Sequence, residues 1–166
     1  MHPIHSDIAN FAGWKFVVIL LWLPLAVFLT WVFKPTFDFS WLEAVVFFIA
    51  SWGAYLIRSM FQGVIGMLNF WTTRGAAVFD LYMATELLLS GRLVPLQLMP
   101  GWVQTLANFL PFKWTFGFPI EVLVGHMSPA SLMLGLGVQV LWIGIGYVLF
   151  KFAWTAAIKR FSAVGG

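Results

Sequence analysis

The chain has 166 residues, 61% of them hydrophobic and 19% aromatic, with 9% charged, no cysteine and a formal net charge of +3. Ordinary soluble domains carry roughly 25% charged residues, and six acids with nine bases cannot cover this much apolar surface in water. A mean hydropathy of +0.93 instead fits an all-α integral membrane protein with the bilayer as its apolar solvent, and the composition excludes disulfides, thiolate metal sites and cysteine nucleophiles.

The bases are scattered singly, so the positive charge marks cytoplasmic loops and not a nucleic-acid surface. Residues 1–13 carry two histidines, an aspartate and no lysine or arginine. That composition does not fit a cleavable signal peptide, and the stretch is read as cytoplasmic.

A first membrane helix is predicted over 14–34. "WKFVVILLWLPLAVFLTWVF" is bracketed by Lys15 and Lys34 and spans about 28 Å at 1.5 Å per residue, one bilayer crossing. Pro24 predicts a kink near its centre. After the loop "KPTFDFS", Ser40 or Asp38 can cap a second helix over 41–72. At roughly 45 Å it is longer than the bilayer core and must tilt or project into the cytoplasm.

The polar turn "TTRGAA" precedes a third helix, 76–91, of about 24 Å, short of a usual crossing. It is stopped by "LLSGRLVPLQLMPGW", Leu88 to Trp102. Here Pro95 and Pro100 lack amide donors while Gly91 and Gly101 permit turns. Over 92–126 come two apolar runs of about ten residues, too short to span, ended by Pro111 and by Pro119 and Gly125. They read as re-entrant or interfacial helices of the outer leaflet. A last full crossing is predicted over 129–155, followed by a cytoplasmic tail, 156–166. No internal repeat is visible. The expectation is one domain with about four membrane helices and a re-entrant helical hairpin between the last two.

Orientation follows from the bases. With a cytoplasmic N-terminus, Lys15, Arg74, Lys151, Lys159 and Arg160 lie inside and Lys34, Arg92 and Lys113 outside, a modest bias that places both termini in the cytoplasm.

Charges inside the membrane are costly and usually serve something. Arg58 lies roughly 22 Å before the cytoplasmic turn and Glu86 roughly 20 Å after it, so antiparallel neighbours can pair them. The pair is either a structural clamp or a lining of the translocation route, including a proton-sensitive switch. Asp80, near the cytoplasmic end of the third helix, is read as cap-like. His2, His5 and Asp7 give only a weak metal signal, with His126 on the other side of the membrane, and no metal site is assigned. In the last helix Gly137 with Gly144, and Gly135 with Gly146, form two opposite faces, which predicts close helix contact on two sides. Most tryptophans, Trp114 among them, read as interfacial anchors, whereas Trp22, Trp52 and Trp142 are deeper and read as packing.

"NFWTTRG" (69–75), "LLSGRLVPLQLMPGWVQTLANFLPF" (88–112), "FPIEVLVG" (118–125) and the terminal "KRFSAVGG" together resemble the C-terminal part of ABC-2 type transporter permeases, closest to a short-chain branch. The resemblance covers nearly the whole chain but matches helices three to six only. It therefore implies a mis-assigned start, a truncated gene or a split subunit.

The resemblance also implies roles. The stretch His2 to Asn10, with His2, Pro3, Ile4, His5 and Asp7, corresponds to the region that couples to a cytoplasmic ABC ATPase subunit. Gly91, Arg92, Pro95, Pro100, Pro111, Pro119, Glu121 and Gly125 correspond to an outer gate hairpin, for which a plain outer-leaflet loop is the alternative. A second permease subunit, identical or different, completes the pathway in the plasma membrane. No G-x-x-x-x-G-K-[ST] loop, G-x-S-x-G or H-E-x-x-H occurs. The expected reading is a multi-pass transport subunit that is not itself an enzyme and has no cofactor of its own, with ATP and Mg held by the partner ATPase. A truncated or non-transporting scaffold is the alternative, and a membrane-embedded enzyme, with only Arg58 and Glu86 to serve it, comes third.

Overall fold

A computed structural model describes residues 3–34, 40–124 and 127–164, with residues 3–16, 19 and 160–164 described by backbone alone. All described elements are helical: α1 (Pro3–Phe33), α2 (Trp41–Met67) continued by a 3₁₀ turn (Leu68–Phe70), α3 (Gly75–Leu89), a 3₁₀ turn (Leu96–Leu98), α4 (Gly101–Phe109), α5 (Pro111–Thr115), α6 (Gly117–Val124) and α7 (Pro129–Val164). The chain falls into two compact units, Met1–Asp38 and Phe39–Gly166.

The first unit is built on α1. It starts at Pro3 and not at Trp14, because proline suits the first helical position, where its missing amide would be unpaired anyway, and the single Gly13 before Pro24 does not interrupt the helix. Pro24 stays inside the helix. The Thr30 hydroxyl donates to the Ala26 carbonyl at 2.8 Å, so this polar group is satisfied within its own helix. α1 ends at Lys34, whose φ of 41° is the left-handed conformation typical just past a helix end.

In the second unit, Ser40 starts α2 with a capping box. Its hydroxyl accepts from the Glu43 amide at 3.3 Å, and the Glu43 carboxylate accepts from the Ser40 amide at 2.6 Å, which satisfies two otherwise unpaired donors. Asp38, the other expected cap, lies outside the described residues. Buried positions Glu43, Val46, Ala50, Ala54 and Ile57 recur every three or four residues and form one face. That face runs along α7, the longest helix–helix contact in the unit, and also meets α5 and α6. The core consists of Val46, Ala50 and Ile57 from α2, Trp114, Phe118 and Val122 from the short helices, and Leu132 from α7.

Among the described residues two stretches are long and apolar enough to cross a membrane, Trp41–Phe70 and Pro129–Lys159, with a shorter apolar segment at Leu20–Phe33. α3 has 15 residues, about 22 Å. α7 runs to Val164, 36 residues in all, so the segment expected as a tail from 156 is helical through 164. Its Ala156-Ala157-Ile158-Lys159-Arg160 sequence favours helix, and the next glycine is Gly165.

Several expectations are corrected. The region 92–126 holds three short helices, not two. Pro111 and Pro119 begin helices where they were expected to end them: Pro111 is the first residue of α5 and Pro119 sits in the first turn of α6, where the missing amide costs no hydrogen bond. Only one glycine face of α7 is in contact. A Cβ at Gly135 would collide with the Phe118 ring, and one at Gly146 would lie 3.2 Å from Met60 Cβ, but nothing lies within 4 Å of one at Gly137 or Gly144. No acid stands in the first turn of α3. Asp80 is exposed and beyond the first turn, outside the reach of the helix N-terminal dipole. Trp114 is buried in the core, whereas Trp52 is 57% exposed. Trp142 packs edge-on against Phe61, ring centres 5.9 Å apart.

Candidate functional site

The segment after α3 owes its path to Gly91. Ser90 caps α3, its amide donating to the Glu86 carbonyl at 2.9 Å, and Gly91 then turns the chain with φ 78°, a conformation that side-chain-bearing residues enter only at a cost. Leu96, buried in the following 3₁₀ turn, lies against the turn, its Cγ 3.2 Å from where a Gly91 Cβ would be. Pro100 precedes α4, and the Gln104 side-chain amide donates to the Met99 carbonyl at 2.8 Å, replacing a partner that the broken backbone lacks.

Polar side chains then tie the short helices together. The Gln97 amide donates to Glu121 Oε1 at 3.1 Å, and Lys113 Nζ lies 3.4 Å from Glu121 Oε2. Lys113 also donates to Asn108 Oδ1 at 2.9 Å, and the Trp114 indole N–H donates to the Asn108 carbonyl at 3.2 Å. Glu121 thus joins the 3₁₀ turn Leu96–Leu98, α5 and α6. It borders two cavities. One, of about 270 Å³, is also lined by Gly91, Pro95, Leu96 and Phe116; the other, of about 520 Å³, lies between the short helices and α7 at Ser131, Leu134 and Val138.

The expected gate residues therefore separate into groups. Gly91, Pro95 and Glu121 share one cavity. Arg92 is exposed, with its guanidinium 5.9 Å from the Phe116 ring centre, a cation–π distance. Pro100 is exposed, while Pro111 and Pro119 are buried helix starters. Gly125 lies outside the described residues, as do His2 and the side chains of Pro3, Ile4, His5 and Asp7. The backbone from Pro3 onward is part of α1.

Gln139, a residue that the sequence reading passed over, fastens the short helices to the long ones. It is 2% exposed, and its side-chain amide donates to the Ala50 carbonyl of α2 and the Trp114 carbonyl of α5, both at 2.9 Å. One α7 side chain thereby holds three helices. The available signal was a lone glutamine in an apolar crossing, since polar side chains within the bilayer act as interhelical connectors.

The structure also brings Arg58 and Glu86 together. Arg58 Nε is 3.1 Å from Glu86 Oε1, with the Arg58 side chain 35% exposed and that of Glu86 7% exposed. The N–H does not aim along this contact, so it is an ion pair without an aligned hydrogen bond. Arg58 also lies at the last turn of α3, where a cation complements the helix dipole. The Thr115 hydroxyl of α5 reaches the same carboxylate oxygen at 3.5 Å, though its shorter bond, 2.7 Å, goes to the Phe112 carbonyl. Tyr82, one turn before Glu86, stacks at a tilt on Phe112, ring centres 5.6 Å apart. The ion pair therefore sits where α2, α3 and the short helices meet.

Neither the curated proteins nor the solved structures contain a match to this chain. A family model described as ABC-2 family transporter protein matches residues 3–165, a span that includes α1, α2 and α7, the Arg58–Glu86 pair and the short helices. The chain belongs to the ABC-2 transporter family.

Proposed function

We propose that this chain is the membrane-spanning permease subunit of an ABC-2 exporter, moving its substrate across the plasma membrane while a separate cytoplasmic ATPase binds Mg and hydrolyses ATP. The family match over residues 3–165 carries this reading. Membership gives a permease-type transport role and an ATPase subunit as the kind of partner.

Two permease subunits form the pathway. α1 and α3 join α2 and α7 as membrane elements, both termini are cytoplasmic, and the segment from Gly91 onward is a re-entrant hairpin that gates the outer end. Support for the gate comes from its backbone, which is broken at Gly91, Pro95, Pro100 and Leu110 yet packed on α2 and α7. Irregular backbone at membrane depth is tolerated only against protein or a water-filled cavity. The N-terminal stretch from His2 to Asp7, which leads into and includes the first turn of α1 from Pro3, is the ATPase contact. ATP-driven closure of the ATPases alternates access between the two membrane faces.

The test is a detergent pull-down of the tagged protein expressed from its own locus, with ATPase activity measured in the eluate. A co-purifying P-loop ATPase whose hydrolysis falls on deletion of His2 to Asn10 is the expected result. Recovery of the chain alone, without nucleotide hydrolysis, refutes the exporter reading and favours a non-transporting scaffold.

A further inference from the structure

Buried polar atoms in folded proteins are almost always hydrogen-bonded. Among the described residues three side-chain atoms depart from this: Arg58 Nε, Glu86 Oε2 and Ser90 Oγ are buried and have no hydrogen-bond partner. Glu86 is 5% exposed and Ser90 1%. The three belong to one place. Arg58 Nε is 3.1 Å from the other oxygen of the Glu86 carboxylate, and Ser90, the residue that caps α3 with helical backbone angles, follows Glu86 by four residues, which makes them neighbours on one helix face.

A ligand that completes this cluster must accept from the Arg58 N–H, donate to Glu86 Oε2 and pair with the Ser90 hydroxyl. A cation meets Arg58 and an anion meets Glu86, so the occupant is neutral, both donor and acceptor, and small. We infer that Arg58, Glu86 and Ser90 form a binding site for a single structural water molecule at the junction of α2 and α3. Three hydrogen bonds are typical of a buried water. With hydrogen bonds of about 2.8 Å, one oxygen bridges polar atoms up to about 5.6 Å apart, so no large cavity is required. A cavity of about 380 Å³ bordered by Glu86, Leu87 and Arg92 gives that water a way in.

The site has a mechanical consequence. A direct ion pair strands two charges when its helices separate, but a pair that shares a water keeps a hydrogen-bonding partner as it lengthens. α3 can then shift against α2 while the charges stay partnered. The Ser90 carbonyl lies 2.9 Å from where a Gly117 Cβ would be, so the end of α3 abuts the start of α6 and carries such a shift into the short helices.

The site belongs to the resting protein, so its test is independent of any ATPase. A structure of the intact protein in nanodiscs, at a resolution that shows waters, is expected to have density within about 3.2 Å of both Glu86 Oε2 and Ser90 Oγ. Direct bonding of Ser90 Oγ or Arg58 Nε to Glu86 Oε2, with no such density, overturns the inference. Infrared difference spectra of wild type against Glu86→Gln, recorded in D₂¹⁶O and in D₂¹⁸O, are expected to contain an O–D stretch that moves with the oxygen isotope. A difference spectrum indifferent to the isotope overturns it as well.

Discussion

Replacing Gln139 by methionine keeps the length of the side chain and removes both of its hydrogen bonds, to the Ala50 and Trp114 carbonyls. Interhelical side-chain bonds within a membrane contribute about 0.6 kcal/mol on average and up to about 1.7. At about 1 kcal/mol each, the two together stabilise the docked short helices by about 2 kcal/mol. The Ala50 carbonyl keeps its place in the middle of α2, so most of the loss falls on α5. Opening of the short helices should therefore become about 30-fold more frequent, at 1.4 kcal/mol per tenfold. The chain has no cysteine, so Val122→Cys supplies a single reporter thiol at a core position that is 0% exposed. Its maleimide labelling rate in nanodiscs measures the open population when reclosing is fast. Gln139→Met should raise that rate about 30-fold, whereas Val140→Leu, next to it but 68% exposed, should leave it unchanged. Equal labelling with and without Gln139→Met would refute the view that Gln139 fastens the short helices.

Three further outcomes are expected. Gly135→Val should destabilise the protein by roughly 1–3 kcal/mol through overpacking against Phe118, while Gly137→Ala, with open space around it, should be near neutral; thermal unfolding in nanodiscs compares them. Arg58→Met should cost about 3 kcal/mol by leaving Glu86 buried and unpaired. Glu86→Gln should cost less, because the 35% exposed Arg58 side chain can turn outward, and a double-mutant cycle that shows no coupling would sink the ion-pair account. Gly91→Ala, forced into φ 78° with Leu96 against the new methyl, should cost about 1–2 kcal/mol, read as a lower unfolding midpoint.

Much of this architecture is legible along the sequence because the bilayer fixes lengths. Lys34 marks the end of α1, though Lys15 lies inside the helix and not at its start, and the Leu88–Trp102 stretch marks the end of α3, since proline and glycine act locally. Counting rise per residue from the Thr72–Thr73 turn sets Arg58 and Glu86 level on antiparallel helices, and the structure has them in contact. What the sequence hides is three-dimensional. A proline looks the same whether it stops a helix or occupies the first turn of the next, so Pro111 and Pro119 were assigned to the wrong ends. Two glycine faces on α7 are equivalent by periodicity, and only the position of Phe118 and Met60 distinguishes them. Gln139 has no partner within its own helix to betray it, since its acceptors lie 89 and 25 residues away.

The bonds that hold the short helices run mostly from a side chain to a main-chain carbonyl: Gln139 to Ala50 and Trp114, Gln104 to Met99, and the Trp114 indole to Asn108. Every residue supplies such a carbonyl, so the accepting positions are free to drift as the sequence diverges, provided the backbone keeps its path. Divergence should therefore fall unevenly across each bond. Positions 104, 114 and 139 must retain a donor of the right reach, while 50 and 99 answer only to packing and 108 also to its side-chain bond with Lys113, and the short helices can survive wide turnover of the residues around them.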